Sequence, residues 1–577
     1  MNMSNDGTDT SGVECDRQLI LSAKSGGRLA TLGVYTKLSG PGWLQSAITL
    51  GGGSLSSSLY LGVLAGFSLM WLQPLAMILG VIMLSAIGYV TLSTGERPFR
   101  AINQHVNPVL GWGWALATMA ANLVWSLPQF SLGTAALQQN LLPGVFGAQG
   151  LFGGAGKLMA CGGILAVCIV IVWFYDSGRK GIFVFETLLK IMVGIIIVCF
   201  FGVIVKMSFS KAGLPWGSVL AGLVPDVRML WSPAKTFDPF LADVAPRFQD
   251  FWRGLIVGQQ RDVIISAAAT AVGINMTFLL PYSMLRRGWD KDFRGLAVFD
   301  LSTGLFVPFI LATGCVVIAS AAQFHTQPVP GLVGNETAVD QPAPKLVAGY
   351  KNNATNRVKS EIGAEALAAL SAGELAARID ALPEPDKKMA AMLVKRDNFD
   401  LAQSLSPLTG DVVAQYVFGI GVIGMAVSSI IILMLINGFV ICEILGLEPG
   451  GWPHRLGTLM PAVGALGPFF WKQAAPWLAM PTSVFGMMLI PIAYFTFFLV
   501  MNQRTLLGDH MPKGGRRVLW NVLMTVAAGL AAFGSLWSLW SKLAWKGIAI
   551  FVGFIVLALI VHVVFPRKPV GDTKTQA

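Results

Sequence analysis

The sequence contains few charged residues. Only 12% of its 577 residues are Asp, Glu, Lys or Arg, whereas 54% are hydrophobic. A soluble protein carries about a quarter charged residues, so this composition excludes an ordinary water-soluble domain. Long apolar runs recur along the chain, and about twenty such residues cross a hydrocarbon core of about 30 Å. The sequence therefore predicts an all-α, polytopic membrane protein.

Residues for metal and nucleophilic chemistry are also scarce. There are five histidines, none in an HExxH spacing, and six cysteines, none in a CxxC spacing. A Gly-rich phosphate loop that ends in Lys-Ser or Lys-Thr is missing as well. These absences argue against a metalloprotease, a resident metal centre and an ATP-driven pump. We therefore expect neither an enzyme nor a cofactor.

The apolar runs and the basic residues together predict a topology. Basic residues such as Arg97, Arg286 and Arg287 fall in alternate connections, which predicts cytoplasmic termini in a plasma or inner membrane. The net charge of +11 then faces anionic lipid, and no nucleic-acid partner is expected. We predict about twelve transmembrane helices, at 40–66 (broken), 68–93, 109–137, 157–175, 181–206, 262–286 (broken), 294–322, 410–437, 455–471, 476–502, 516–540 and 543–566.

The same pattern divides the chain into regions. The polar N-terminus has no signal-peptide pattern and is predicted to be a disordered cytoplasmic tail. In the external insertion, Ser371 and Glu374 form a capping-box pattern that predicts a helix to about Leu382. We interpret that insertion as a structured elaboration without chemistry of its own. The predicted regions are the tail 1–39, a five-helix repeat 40–206, an external loop with short helices 207–261, a second repeat 262–502 with the external insertion 323–409, two further helices 503–566 and a cytoplasmic tail 567–577.

The first predicted helix is interrupted by Gly51, Gly52 and Gly53, which are followed by Ser54. Successive glycines favour an unwound backbone, because glycine loses the most conformational entropy in a helix. At membrane depth an unwound backbone is tolerated only where it lines a cavity or a binding site. These four residues are therefore candidates for binding substrate.

A second interruption is predicted in the sixth helix, at Asn275–Tyr282. Pro281 has no backbone N–H, so hydrogen bonds near Thr277 are freed. An ordinary proline kink is the alternative interpretation. The two breaks, however, open successive groups of five spans, which is typical of an inverted-repeat transporter with its substrate site between the breaks.

Several motifs resemble the natural-resistance-associated macrophage protein (NRAMP) family of metal transporters. They are Gly40-Pro41-Gly42-Trp43, the LLPYSML segment of the sixth span, Gly222–Pro225, Ser428-Ser429 and Asn502–Gly508. The resemblance implies a leucine-transporter-type fold in which helices one to five and six to ten are inverted repeats.

The resemblance also implies that the family's metal ligands are replaced here. The position of the metal-binding Asp holds Gly51, and that of its companion Asn holds Ser54. The family's Met-Pro-His corresponds to Leu280, Pro281 and Tyr282, and the alanine that offers a carbonyl corresponds to Thr277. A second family histidine corresponds to Arg287. With both histidines absent, we expect weak or no proton coupling.

Two substrates fit this altered site. Mg²⁺ dehydrates reluctantly and could be held through its waters by Gly51–Gly53, Ser54, Asn275 and Thr277. This favours an inorganic divalent cation, with Mg²⁺ ahead of Mn²⁺ or Fe²⁺. Alternatively, the free N–H groups that open the second half of helix one could bind a small anionic or zwitterionic organic solute.

Few ionisable residues remain inside the predicted spans. Glu186 and Lys190 lie four residues apart, so they could pair on one helix face or take part in coupling. Asp300 and Asp411 lie at the starts of the seventh and eighth helices, where they are either interfacial or part of a cation vestibule. Asn122, Gln129 and Asn437 are predicted to form hydrogen bonds between helices.

Overall fold

The computed structural model describes residues 10–210, 213–333, 342–470 and 479–564. Every regular element within these ranges is helical, which confirms the all-α prediction. The predicted cytoplasmic tail 567–577 lies outside the described residues.

The N-terminal segment is folded, so the prediction of a disordered tail was wrong for its described part. Helices α1 (Thr10–Ser25) and α2 (Arg28–Leu38) cover most of it. Ile20 is fully buried, and the Arg17 guanidinium lies 2.6 Å from the Asp290 carboxylate. The polar composition of the segment suggested disorder. Its few apolar side chains pack against parts of the chain that are distant in sequence, so this packing could not be predicted from the segment itself.

The first repeat begins with a broken helix. Helices α3 (Pro41–Thr49) and α4 (Gly52–Ala65) meet at an angle of 57°, and the break lies at Leu50 and Gly51. The predicted interruption also covered Gly52 and Gly53, but these two residues already belong to α4. The remaining helices of this half are α5 (Leu72–Thr94), α6 (Pro98–Ala101), α7 (Pro108–Ala136), α8 (Pro143–Phe146), α9 (Gly156–Phe174) and α10 (Gly178–Ser208).

The second repeat also begins with a broken helix, but the break lies earlier than predicted. Val272 (φ −141°, ψ 109°) and Gly273 (φ −85°, ψ 165°) leave the helical conformation, and Pro281 sits inside a continuous helix. Pro281 removes only one hydrogen bond from the helix. Gly273 instead precedes a new helix, whose first N–H groups have no partner within that helix and need partners elsewhere. The helices of this region are α11 (Trp216–Ala221), α12 (Asp238–Asp243), α13 (Pro246–Ala271), α14 (Ile274–Arg286), α15 (Arg294–Leu301) and α16 (Val307–Phe324).

The external loop is shorter than predicted, because α13 starts at Pro246 rather than at 262. The external insertion is helical throughout most of its described length. The Ser371–Glu374 capping box is present and opens a helix that ends at Asp380. The helices of the insertion are α17 (Pro344–Ile362), α18 (Ala364–Ala369), α19 (Ala372–Asp380), α20 (Glu384–Met392) and α21 (Asn398–Thr409).

The last part of the chain completes the membrane region. The two predicted C-terminal helices follow each other directly within α27. They are separated by a kink at Ala544, whose backbone is non-helical. In the described part of the chain, eight helices are long and apolar enough to span a membrane, or nine when α3 and α4 count as one span. The remaining helices are α22 (Phe418–Ile444), α23 (Gly451–Leu459), α24 (Gly467–Phe470), α25 (Ala479–Met501), α26 (Arg504–Leu507) and α27 (Gly515–Val564).

Candidate functional site

A small cavity lies between the two helix breaks. Residues of both breaks and of α7, α22 and α25 line it, and none of the lining residues is ionisable. They are Ile48, Thr49, Gly51, Gly53, Ser54, Trp125, Pro128, Gln129, Thr270, Gly273, Asn275, Met276, Ser429, Leu433, Thr482 and Ser483.

The break in the first helix is held open by side chains. Gln129 of α7 accepts a hydrogen bond from the Gly52 N–H at 2.8 Å, so the first donor of α4 is satisfied. The Ser54 hydroxyl donates to the Thr49 carbonyl across the break. A Cβ at Gly51 would collide with Ser429 Oγ and lie 3.1 Å from Gln129 Nε2. Glycine is therefore required at position 51 by close packing.

The break in the sixth helix is fixed by a chain of amides. Asn275 accepts from the Met276 N–H at 2.9 Å and donates to Asn122 Oδ1 at 3.1 Å. Asn122 in turn donates to Asn437 Oδ1 at 2.7 Å. This network confirms the predicted interhelical role of Asn122 and Asn437, and it keeps the amide oxygen of Asn275 occupied.

Three of the hydroxyl groups that line the cavity donate their protons to backbone carbonyls. Ser54 donates to the Thr49 carbonyl, Ser429 reaches the Ile48 carbonyl at 3.3 Å, and Thr270 donates to the Ala267 carbonyl at 3.0 Å. A carbonyl oxygen can only accept, so each hydroxyl must be the donor. These three oxygens therefore retain lone pairs that can accept further hydrogen bonds.

The predicted site residues divide into two groups. Gly51, Gly53, Ser54 and Asn275 line the cavity, and the N–H of Gly52 is bonded beside it. The others are buried in α14 and are not among the lining residues: Thr277, Leu280, Pro281 and Tyr282.

Two members of the second group bond elsewhere. The Thr277 hydroxyl accepts from the Trp114 indole N–H at 2.9 Å, and the Tyr282 hydroxyl accepts from the Phe99 N–H at 3.3 Å. The cavity instead receives Met276, whose sulfur lies 3.1 Å from the Thr49 hydroxyl oxygen. Because the break precedes Ile274, the side chains that line the cavity belong to the first turn of α14, which includes the predicted Asn275 but precedes Leu280, Pro281 and Tyr282.

A cluster of four charged residues lies at the start of α3, on the predicted cytoplasmic side, and its two acidic members are buried. Glu186 pairs with Arg287, whose Nε lies 2.8 Å from Oε1, while Lys190 donates to the Ser39 carbonyl at 2.5 Å. The predicted pair of Glu186 with Lys190 is therefore replaced by separate partners. Arg287 also donates to the Leu38 carbonyl at 2.9 Å, so it does more than obey the charge rule for loops.

Asp300 completes this cluster. Its carboxylate is buried and accepts from the Gly40 N–H at 3.2 Å, from the Gly42 N–H at 2.6 Å and from the Ser39 hydroxyl. Asp300 thus anchors the first residues of α3. Asp411 lies apart from this cluster, is exposed and accepts from Ser406.

The sequence did not identify Met276, Gln129 and Ser429 as cavity residues. Gln129 carried a signal, because a glutamine within an apolar span needs a partner. Ser429 belongs to the Ser428-Ser429 motif, to which the sequence alone assigns no role. Met276 gave no signal of its own, since its place depends on where the helix breaks.

Comparisons with known proteins agree with this architecture. The sequence matches the family model described as natural resistance-associated macrophage protein-like over residues 42–341 and 388–541. No curated protein sequence matches the chain.

Solved structures of a manganese transporter from Eremococcus coleocola are similar in fold. One, in complex with an aromatic bis-isothiourea substituted compound, has a TM-score of 0.59 and 13% identity. Another, of a histidine mutant, has a TM-score of 0.60 and 13% identity. Each match covers 92% of this chain and 94% of the transporter. These structures confirm the leucine-transporter-type fold expected from the sequence.

Proposed function

Because the chain belongs to the natural resistance-associated macrophage protein-like family, we propose that it is a secondary transporter of inorganic divalent cations in a plasma or inner membrane. The substrate binds in the cavity between the two helix breaks and keeps part of its water shell. Mg²⁺ is preferred over Mn²⁺ and Fe²⁺, and proton coupling is weak or absent.

The observation that carries this proposal is the set of neutral oxygens around the cavity. The hydroxyls of Ser54, Ser429 and Thr270 present lone pairs because their protons are bonded to carbonyls. Lone pairs accept hydrogen bonds from the waters of a hydrated cation. They would repel a carboxylate or another anion.

The lining also argues against a dehydrated transition metal. None of the lining residues carries a carboxylate, and a bare divalent ion in such surroundings would cost on the order of tens of kcal/mol. A cation that keeps its first shell of water avoids this cost, because its waters can bond to the neutral oxygens of the lining. Mg²⁺ is the ion that gives up this shell least readily.

Transport by alternating access would require α3 to move. The charged cluster of Glu186, Lys190, Arg287 and Asp300 binds the backbone from Leu38 to Gly42 and holds α3 in place. Release of these contacts would open the cavity toward the predicted cytoplasmic side. The cluster thus has the position expected of an inner gate.

Uptake into proteoliposomes tests the proposal. We expect uptake of Mg²⁺ that exceeds that of Mn²⁺ and Fe²⁺, without acidification of the vesicle interior. Empty liposomes and a variant with the bulky Gly51→Trp change are the controls. Clear acidification that accompanies ion uptake would contradict weak coupling, and lack of any divalent flux would contradict the substrate class.

A second candidate is a carrier of a small anionic or zwitterionic organic solute. The observation in its favour is the apolar part of the cavity, which includes Trp125, Met276 and Leu433. Against it, the first N–H of α4 is already bonded to Gln129. Thermal-shift measurements with amino and carboxylic acids distinguish the two, because stabilisation by an organic acid without divalent flux would favour this candidate.

A further inference from the structure

The external insertion bridges the outer ends of both broken helices. We call the side of the molecule on which it lies the outer side. Residues 342–387 fall in the gap of the family match, so most of the insertion lies outside the part of the chain that the family model matches. Its described residues contact α4, α13 and the end of α16.

The first set of contacts joins the insertion to α13. Arg357 of α17 and Asp386 of α20 form an ion pair at 2.8 Å, and both side chains are almost completely buried. The indole N–H of Trp252 donates to the same Asp386 carboxylate at 2.7 Å. The Arg357 guanidinium also lies 3.1 Å from the centre of the Phe248 ring. A buried pair with satisfied hydrogen bonds fixes the relative position of its elements.

The second set of contacts joins the insertion to α4 and α16. The hydroxyl of Tyr60, which is buried on α4, donates to the Arg396 carbonyl at 2.5 Å. The Arg396 guanidinium donates to the Gln327 carbonyl at 3.2 Å and lies 4.9 Å from the centre of the Phe324 ring at the end of α16. The same insertion therefore holds α4, α13 and the end of α16.

The helices held in this way meet beside the cavity. Ser57 Oγ of α4 lies 3.3 Å from Thr270 Oγ1 of α13, and Thr270 lines the cavity. At 1.5 Å per residue, Tyr60 is about 12 Å from the start of α4 and Trp252 is about 29 Å from the end of α13. Any separation of the two helices at the cavity would therefore strain the contacts at their outer ends.

We propose that the insertion is a lid that clamps the outer halves of the two broken helices together and thereby restricts access to the cavity from the outer side. The clamp consists of the Asp386 contacts on α13 and the Tyr60 contact on α4. This inference rests on the proposed function only in that the broken helices are taken to move.

Accessibility of a reporter cysteine tests the lid. In the full chain in liposomes, Ser54→Cys places a thiol in the cavity, and a membrane-impermeant thiosulfonate reagent is added from the outer side. Tyr60→Phe removes one hydrogen-bond donor of the clamp and keeps the ring, whereas Trp252→Phe removes the other donor and replaces the indole with a smaller phenyl ring. We expect either change to accelerate labelling about two- to tenfold, the range that corresponds to one net hydrogen bond.

Matched controls separate the lid from general loosening. Tyr416→Phe and Trp231→Phe alter exposed aromatic residues outside the clamp and should leave the labelling rate unchanged. The chain without Ser54→Cys gives the background from its own cysteines. Unchanged or slower labelling in both clamp variants would overturn the proposal, whether or not their thermal stability falls. Faster labelling, together with no divalent flux in the chain that retains Ser54, would support the lid and contradict the proposed transport function instead.

Discussion

At the scale of single residues, the cavity depends on a side chain that is missing. Gly51 allows Ser429 and Gln129 to approach the break in the first helix. The sequence comparison drew attention to Gly51 as the place of a lost carboxylate. In the structure, Ser429 and Gln129 occupy the space that a side chain at position 51 would need. We therefore expect that one substitution does not restore a metal-binding carboxylate.

Restoring a carboxylate should therefore require two changes. Gly51→Asp alone should lower stability by about 1 to 3 kcal/mol, because its Cβ collides with Ser429 Oγ. Gly51→Asp with Ser429→Ala removes the colliding atom and should create Mn²⁺ binding, measured by calorimetry on the purified protein. Leu280→Met is not needed, since the Met276 sulfur already faces the cavity.

Two controls accompany this pair of variants. Ser429→Ala alone should not bind Mn²⁺ more tightly than the native chain. Equal Mn²⁺ affinity in Gly51→Asp and in the double variant would show that the break relaxes around the new side chain, against the prediction.

At the scale of elements, short polar contacts decide which helix segments are held. The backbone from Leu38 to Gly42 is bound by charged groups of three other elements. On the outer side, the insertion holds α4 and α13 through Tyr60 and Asp386. The halves of the broken helices are thus restrained at both faces of the molecule.

Removing only one partner of the Glu186–Arg287 ion pair should lower stability more than removing both charges. Arg287→Met leaves the Glu186 carboxylate buried without its partner, and we expect a loss of about 3 to 5 kcal/mol of stability. The double variant Glu186→Gln/Arg287→Met should lose less, because no uncompensated charge remains. Thermal unfolding of the two variants, with exposed Lys291→Met as control, measures the difference. A double variant less stable than Arg287→Met would refute the assignment.

The insertion should become less stable as pH rises from about 4 to 6. Burial and the neighbouring Asp397 raise the pKa of Asp400 to about 6, although Lys345 opposes the shift. The unfolded chain has a pKa near 3.9 for this group, so the folded state binds the proton more tightly. The resulting stability is present below about pH 4 and is lost as pH rises through 6.

Asp400→Asn should flatten this dependence, which thermal unfolding between pH 4 and 7 would measure. Asp411→Asn, an exposed carboxylate beyond the end of α21, is the matched control. A slope that is the same in the native chain and in Asp400→Asn would show that other groups govern it.

At the scale of the whole molecule, the spans and the first helix break followed from the sequence. Each predicted span corresponds to helical structure, since a run of apolar residues in a membrane must form its hydrogen bonds internally. The second break was misplaced because Pro281 is a stronger local signal than Gly273. Helix packing around Asn275 decides which of them interrupts the helix.

The sequence by itself determined that the chain is an all-helical membrane protein whose first span is interrupted at glycine. Those conclusions rest on composition and on local backbone preference, which every residue carries with it. Only the tertiary structure decided that Met276 rather than Leu280 faces the cavity, that Glu186 pairs with Arg287, and that the insertion joins α4 to α13. These contacts connect residues far apart in the chain, so their partners become known only when the helices have packed.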